Sequence, residues 1–383
     1  MDVINNVIYI LSYEDWGNMK MSKHHYAIEL AKMGNQVFFI NHSDRRYRLK
    51  RGEMTVLQTE YPNLFSVNHR IWYPYFLKYK FRVIYNILTK YYVRNLIKKI
   101  AEIPNVVWSF DTGNSLPLKY FTTGALKIYM PVDGPFGTIH EEKAVESVDL
   151  IVSVTDRILK PYAHSGIPRL RINHGVADYF ITDEIIEFVN EPIRIGYSGS
   201  LLRNDLDINT FIDVIENHRD KFFEFWGECE LNKSIIHLPQ DVSQSTLKFI
   251  EKLRNLPNVV LHGPVSPDVL AQNLKRMDAL LICYKIQNDQ NHHKVLEYLG
   301  SGKVVISSFM SSYESEDPDL LEMLNDEISN NDFLKRFDVV MKNLTFFNSE
   351  FLQNKRITYA QKYTYRSQIS RIFDNIPQKS NID

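Results

Sequence analysis

The sequence predicts an α/β protein built as two open, parallel-stranded halves, on three observations. Strand-like apolar runs alternate with helical patterns from Val3 to Ser307. The first forty residues already spell strand, helix, glycine, strand. A polar, acidic stretch, Thr182–Pro192, then separates two such sets. At 383 residues the chain is also too long for one ordinary core.

Val3–Leu11 (VINNVIYIL) reads as a first buried strand, followed by a loop to Met21. Ser22–Met33 has apolar residues at helical spacing, and Gly34 just past its end is a C-cap signal. Gln36–Asn41 is the second strand, so a right-handed βαβ unit opens the chain. Val106–Ser109, Lys127–Met130 and Asp149–Val154 are further strands, and Arg171–Ile172 leads into the His174-Gly175 turn. The second set opens with Ile193–Tyr197, which ends in Ser198-Gly199-Ser200. A helix over Asp207–Asn217 follows, then strands at Phe222–Trp226, Val259–His262 and Ala279–Cys283. Lys294–Leu299 is helical, Val304–Ser307 is the last strand, and residues 350–373 read as one polar, aromatic terminal helix. The halves do not repeat each other in sequence. Open α/β sheets bind ligands at the carboxyl ends of their strands, which points to the first loop and the glycine turns.

Composition excludes several classes. Hydrophobic residues are 44% and charged residues 24%, an ordinary globular balance. Two cysteines, Cys229 and Cys283, exclude a disulfide framework and argue against a Cys-based zinc site. No apolar run approaches the ~18–20 residues of a membrane span. Acidic Asp2 and the lack of a basic leading segment argue against a signal peptide, so a cytoplasmic protein is expected. Net charge is −1 but unevenly spread: residues 1–180 carry 23 Lys and Arg against 16 Asp and Glu, and the remainder 22 against 30.

The informative stretch is Asn258–Ser307. It contains Leu261-His262-Gly263-Pro264-Val265, then Met277-Asp278-Ala279-Leu280-Leu281. Lys294-Val-Leu-Glu297-Tyr-Leu299-Gly-Ser-Gly302-Lys-Val304-Val305 follows. This series resembles the donor-binding half of a GT-B glycosyltransferase of the group-4 type. That family carries an acid, seven residues and a Glu running into a glycine turn and a buried strand. Here Asp289 stands in the first acid's place and Glu297 in the second's, while Lys303 replaces the usual proline. Ile193–Ser200 (IRIGYSGS) resembles the strand that opens the family's second domain, and Arg171–Phe180 and Val148–Leu159 resemble its interdomain segments.

The resemblance implies a GT-B fold: two Rossmann-like domains with a cleft between them and a C-terminal helix crossing back. Residues 1–180 would form the acceptor domain and 190–350 the donor domain, with 351–383 a helix packing back toward the first and a frayed tail. It implies a nucleotide-diphosphate sugar as donor. Gly199 and Ser200 would approach it by backbone, Arg203 and Lys294 would meet the diphosphate, and Glu297 would accept from a ribose diol. The His262–Val265 turn would lie near the base. Taken alone, Lys294 and Glu297 read as an exposed helix pair, and Arg203 as a solvated loop arginine. No metal and no resident cofactor are expected. Asp205-Leu-Asp207 is read as a helix start capped by Asp207 rather than a metal motif.

Trp16–Ala31 resembles a loop and helix of the teichuronic acid and exopolysaccharide (xanthan-type glucuronosyl) transferase subgroup, and Tyr129–Gly134 a segment with a cleft-facing acid. Asp133 is thus the candidate general base; alone, it reads as a turn residue before Gly134. Trp16, His24, His25 and Asp289 are candidate acceptor or sugar contacts. Residues 61–101 hold eight Lys and Arg, eleven aromatics and no acid, with five more cations between Arg45 and Arg51. Interleaved rings and cations suit an anionic membrane surface; the other reading is a solvated helix face whose rings serve the core. Nucleic acid is not expected, since no binding motif accompanies the charge.

The expected function is a hexosyl- or glucuronosyl-type transfer to a lipid-linked saccharide in capsule, exopolysaccharide or lipopolysaccharide synthesis. It would take place on the inner face of the cell membrane. A nucleotide-sugar epimerase of the same fold and a catalytically inactive scaffold subunit are the alternatives.

Overall fold

The computed structural model describes residues 3–17, 20–44, 48–132, 144–187, 189–231, 242–285, 292–324 and 330–376. The chain divides into two compact units. The first comprises residues 1–175 and 365–383, the second residues 176–364.

The N-terminal unit is organised by an eight-stranded sheet. Its strands are β1 (Val7–Leu11), β2 (Gln36–Ile40), β3 (Met54–Gln58), β4 (Leu64–His69), β5 (Val106–Ser109), β6 (Leu126–Tyr129), β7 (Leu150–Ser153) and β8 (Arg169–Arg171). They lie in the order β3-β4-β2-β1-β5-β6-β7-β8, all parallel except the β3–β4 hairpin. β1, β2, β5, β6 and β7 are almost wholly buried, which is why they read as continuous apolar runs. In register, Tyr9 stands between Phe38 and Val107. The covering helices include α1 (Ser22–Lys32) and α2 (Arg82–Ile100). α2 turns Tyr85, Thr89, Tyr92, Val93, Leu96 and Ile100 inward at helical spacing.

The second unit is built on six parallel strands: β9 (Arg194–Ser198), β10 (Phe222–Trp226), β11 (Val259–Gly263), β12 (Ala279–Ile282), β13 (Val304–Ser307) and β14 (Glu322–Met323). Their order is β11-β10-β9-β12-β13-β14. Its helices include α3 (Ile208–Asn217), α4 (Gln244–Arg254), α5 (Pro267–Leu274), α6 (Lys294–Gly300), α7 (Asn330–Lys342) and α8 (Glu350–Gln361). The core gathers Phe211, Phe223, Leu280, Leu296 and Val305.

Two segments differ from the sequence reading. The stretch read as one terminal helix is two. α8 packs on α6 in the second unit, and only α9 (Tyr365–Asp374) belongs to the N-terminal unit, where it packs on α1. The chain also passes between units at 175/176 rather than at 180–192. The acidic stretch is bound along the second unit by polar contacts that apolar patterning does not register. Asn190 N–H donates to Asp278 (2.9 Å), while Lys303 Nζ and Gln353 Nε2 donate to the Ile186 carbonyl (2.8 and 3.0 Å). Lys303, in the family's proline position, thereby anchors this stretch. Burial pulls its pKa down to about 8.

Candidate functional site

In the second unit, β9, β10 and β11 extend to one side and β12, β13 and β14 to the other. The order reverses between β9 and β12, and open α/β sheets bind ligands beyond the carboxyl ends of their strands at such a reversal. Gly199 follows β9 there at φ +134°, a backbone region that disfavours side chains. A Cβ on it would fall 2.5 Å from Lys294 Nζ, and one on Gly227, at φ +135°, 2.3 Å from the Gly199 carbonyl oxygen. These two glycines let the loops after β9 and β10 touch and leave room for one ammonium.

That ammonium is buried. Lys294 Nζ donates to the Ser198 carbonyl (2.5 Å) and the Tyr197 hydroxyl (3.3 Å), and lies 4.3 and 5.1 Å from the ring centroids of Tyr197 and Tyr284. One turn on, the Tyr298 hydroxyl accepts from Ser198 N–H (2.6 Å). Residues 294 and 298 share a face of α6, so both clamp the helix to the end of β9. Lys294 is therefore not half of an exposed pair with Glu297. Its charge sits under the Gly199 turn.

Glu297 is largely buried, and its Oε1 lies 3.9 Å from His293 Nε2. Burial pushes its pKa up to about 7, against the pull of Lys294. Arg203 reaches the same region as a fork on Asp205 (Nε to Oδ1, 2.8 Å), its guanidinium 5.3 Å from the Tyr284 ring centroid. Asp207 caps α3, accepting from Thr210 N–H (3.2 Å) and Thr210 Oγ1 (2.7 Å). Both carboxylates of the Asp205-Leu-Asp207 motif are thus engaged within the protein. Among the described residues no group of three or more His, Cys, Asp or Glu could hold a metal ion.

His262 and Val265 lie at the end of β11. The His262 ring stacks on Trp226 (4.9 Å, 5°), and its Nε2–H donates to Glu224 (2.8 Å). Glu224 is buried and also binds Arg194 Nε (2.6 Å). Val265 is exposed. Asp289 lies outside the described residues.

No protein-family model matches the chain, and no curated protein sequence does. Solved structures match over almost its whole length. Sucrose-phosphate synthase from Thermosynechococcus elongatus superposes with a TM-score of 0.67 at 10% identity, covering 97% of this chain and 98% of its own. HepE from Anabaena, bound to UDP and glucose, gives 0.66 at 11% over 97% and 100%. The lipopolysaccharide outer core galactosyltransferase WaaB gives 0.58 at 15% over 96% and 99%. These neighbours are GT-B glycosyltransferases. The chain has the GT-B fold.

In this GT-B chain the N-terminal unit repeats the sheet reversal between β1 and β5. The loop after β1 carries Trp16, half-buried against Phe39 (5.2 Å), its Nε1–H donating to Glu60 (3.2 Å) and Lys20 lying over its ring (3.8 Å). His24 is a correction to the candidate contacts. It is 1% exposed, stacks on Phe39 (4.8 Å), accepts from Met21 N–H at Nδ1 (3.0 Å) and donates from Nε2 to the Asp15 carbonyl (3.1 Å). Both nitrogens are committed to shaping the loop, and burial pulls the pKa down to about 4. His25 stacks on Tyr365 (5.0 Å) at the start of α9. Asp133 lies outside the described residues.

The sequence reading missed three side chains of the second unit's site. Tyr284 and Tyr298 were within the quoted stretch but carry no periodic signal. His292 carries no spacing signal either. Its ring stacks on Tyr284 (4.3 Å), and its Nε2 is buried with no hydrogen-bond partner among the described residues. Burial, reinforced by the Lys294 and Arg203 charges, holds its pKa down to about 3. A neutral ring with an unspent buried nitrogen fits a site that awaits a polar ligand.

The basic aromatic belt divides in two. Arg45, Arg46 and Tyr47 lie outside the described residues. Tyr73, Tyr85 and Tyr92 are core residues, packed edge to face at 5.5 and 6.1 Å. Phe76, Tyr79, Phe81, Val83, Ile84, Ile87 and Tyr91 are exposed, among Lys80, Lys90, Arg94, Lys98 and Lys99. No described helix is long and apolar enough to cross a membrane.

Proposed function

We propose that this chain is a glycosyltransferase that takes a hexosyl or glucuronosyl group from a nucleotide-diphosphate sugar. It passes the group to a lipid-linked saccharide of capsule, exopolysaccharide or lipopolysaccharide synthesis, in the manner of the teichuronic acid and exopolysaccharide subgroup. The observation that carries the reading is the convergence of Gly199, Lys294, Arg203, His292 and Glu297 at the sheet reversal of the second unit. Two cations beside a strand-end glycine suit a diphosphate, and a carboxylate suits a ribose diol. Ser200, His262 and Val265 complete the donor contacts we assign.

In the reaction the acceptor hydroxyl attacks the anomeric carbon and the bond to the diphosphate oxygen breaks. The hydroxyl proton passes to a base, a role we assign to Asp133. Lys294 and Arg203 stabilise the departing diphosphate, so no resident metal or cofactor is required. Trp16, His25 and Asp289 remain candidate sugar contacts. The exposed apolar side chains of residues 76–91, ringed by cations, support docking to an anionic membrane from the cytoplasmic side.

The test is calorimetric titration and thermal shift with UDP-glucose, GDP-mannose, dTDP-glucose and UDP, comparing the wild type with Glu297→Ala and Lys294→Ala. At about 100 Kd a bound ligand adds roughly 2.7 kcal/mol of stability. Binding by the wild type alone sustains the reading. A folded wild type that binds none of the four overturns it.

A further inference from the structure

The N-terminal unit holds two adjoining pockets that no assigned role uses. The larger, about 350 Å³, opens beyond the carboxyl ends of β2 and β4. Tyr73, Tyr75 and Tyr85 supply ring surface to it, and His42, Asp44 and Ser115 supply polar groups. Arg51 and Arg70 give its wall a net positive charge against Asp44. The smaller is a recess of about 50 Å³ lined by Lys78, Arg82, Lys119, Asn86 and Asn114, with three cations and no acid in its lining. Tyr85 lines both.

The recess is built rather than incidental. The Lys78 side chain is buried, and its Nζ donates to the Gly113 carbonyl (2.6 Å) and the Tyr75 hydroxyl (3.2 Å). Asp111, itself buried, shapes the loop that forms the shared wall. Its carboxylate accepts from Gly113 N–H (2.9 Å) and Ser115 N–H (2.7 Å). Arg82 has no carboxylate partner among the described residues, and Lys119 pairs with Glu146 outside the recess.

The two pockets call for two joined chemistries. A space of phosphate size with three cations and two amides calls for a compact anion. A larger cavity with aromatic walls and a few polar groups calls for a ring bearing hydroxyls. The exposed Phe76, Tyr79, Phe81 and Val83 interleave in sequence with Lys78 and Arg82. An apolar chain attached to the anion therefore has apolar surface beside it.

We propose that these pockets together bind a glycosyl phosphate, phosphate in the recess and sugar in the larger cavity, as the headgroup of a lipid-linked acceptor. The site rests on the transferase reading only for what its ligand is used for.

The test titrates the full-length protein with glucose 1-phosphate, glucose and inorganic phosphate, and separately with UDP-glucose. It compares the wild type with Arg82→Glu and Lys119→Glu, both at solvent-accessible side chains. Glucose 1-phosphate should bind the wild type more tightly than either fragment. Each variant should weaken it about tenfold or more while moving UDP-glucose less than twofold. UDP-glucose binding with no response to glucose 1-phosphate overturns this site and leaves the transferase reading standing. Glucose 1-phosphate binding without any nucleotide binding supports the site and overturns the transferase reading. Displacement of glucose 1-phosphate by UDP-glucose overturns the site, because it would lie in the second unit. Phosphatidylglycerol vesicles free of glycolipid distinguish the phosphate's source. The vesicle comparison uses Lys119→Glu, which lies outside the basic belt. Vesicle binding equal to wild type supports a glycosyl phosphate, and loss in step with glucose 1-phosphate overturns it in favour of a phospholipid headgroup.

Discussion

Glu297 carries two pH effects of opposite sign, and together they test whether its carboxylate faces a ligand. Burial raises its pKa from 4.5 to about 7. The folded state therefore keeps a proton that the unfolded chain gives up between these values. The stabilising contribution of the protonated form is complete below about 4.5 and is lost as pH rises through about 7. The gap is on the order of 3 kcal/mol at most. Glu297→Gln removes the titration, so urea unfolding should show the variant gaining stability on wild type as pH rises from 5 to 8. Binding runs the other way. A diol donates to the ionised carboxylate, about one-tenth populated at pH 6 and nine-tenths at pH 8 for a pKa of about 7, so affinity should improve about tenfold across that interval. UDP-glucose is the suitable ligand, since its diphosphate has no proton to gain in this range. Calorimetry in buffers of different ionisation enthalpy should count close to one proton released per ligand at pH 6. Among the described residues His293, Lys294 and Tyr298 are charged or titratable neighbours, and His293→Ala separates the imidazole's contribution. A wild type with equal affinity at pH 6 and 8, or a Glu297→Gln variant that keeps the pH dependence, refutes the reasoning.

Three further outcomes are expected. His292→Phe preserves the stack on Tyr284 and removes the buried nitrogens, so thermal stability should hold or rise while UDP-glucose affinity falls about tenfold. His24→Leu should cost on the order of 1–3 kcal/mol in urea unfolding, because the Met21 N–H and the Asp15 carbonyl lose their partner, with nucleotide affinity unchanged. Ile84→Asp with Ile87→Asp should abolish sedimentation with phosphatidylglycerol vesicles while leaving nucleotide binding intact, and the same sedimentation as wild type would remove the membrane role from α2.

The strands were legible because a parallel strand buried on both faces is an uninterrupted apolar run, as in Ile8–Leu11 and Ala279–Ile282. Where that condition fails, the reading failed. β3 is half-exposed (Met54–Gln58, MTVLQ) and disappears into the basic belt. The break at Lys362–Thr364 has no proline or glycine to announce it. It follows from a tertiary bond, Val176 N–H to the Tyr363 carbonyl (2.9 Å), between residues 187 positions apart. The belt itself mixed two physical roles in one composition. Only helical phase separates buried Tyr85 and Tyr92 from exposed Ile84, Ile87 and Tyr91.

The same distinction governs the candidate site. Gly199, Lys294 and Glu297 were singled out by the family resemblance, which rests on a strand-end glycine and a helix following the next strand. A resemblance of that kind does not say what each side chain touches. Lys294 was read as a cation for the diphosphate or, taken alone, as half of an exposed helix pair, yet its first partner is the Ser198 carbonyl, 96 positions earlier in the chain. That bond makes its charge a conditional one. A diphosphate at the Gly199 turn must draw the ammonium from a neutral carbonyl and two tyrosine rings, and Arg203 from Asp205. Each exchange would replace one satisfied contact by another, so the net gain per cation would be smaller than for a free charge. Lys294→Ala should therefore weaken two properties together, the tie between α6 and β9 and the affinity for a diphosphate. Lys294→Arg, whose planar fork cannot enter the space beside Gly199, should not rescue either. Rescue of nucleotide affinity by Lys294→Arg would mean that the charge acts from solvent and that the buried position is incidental.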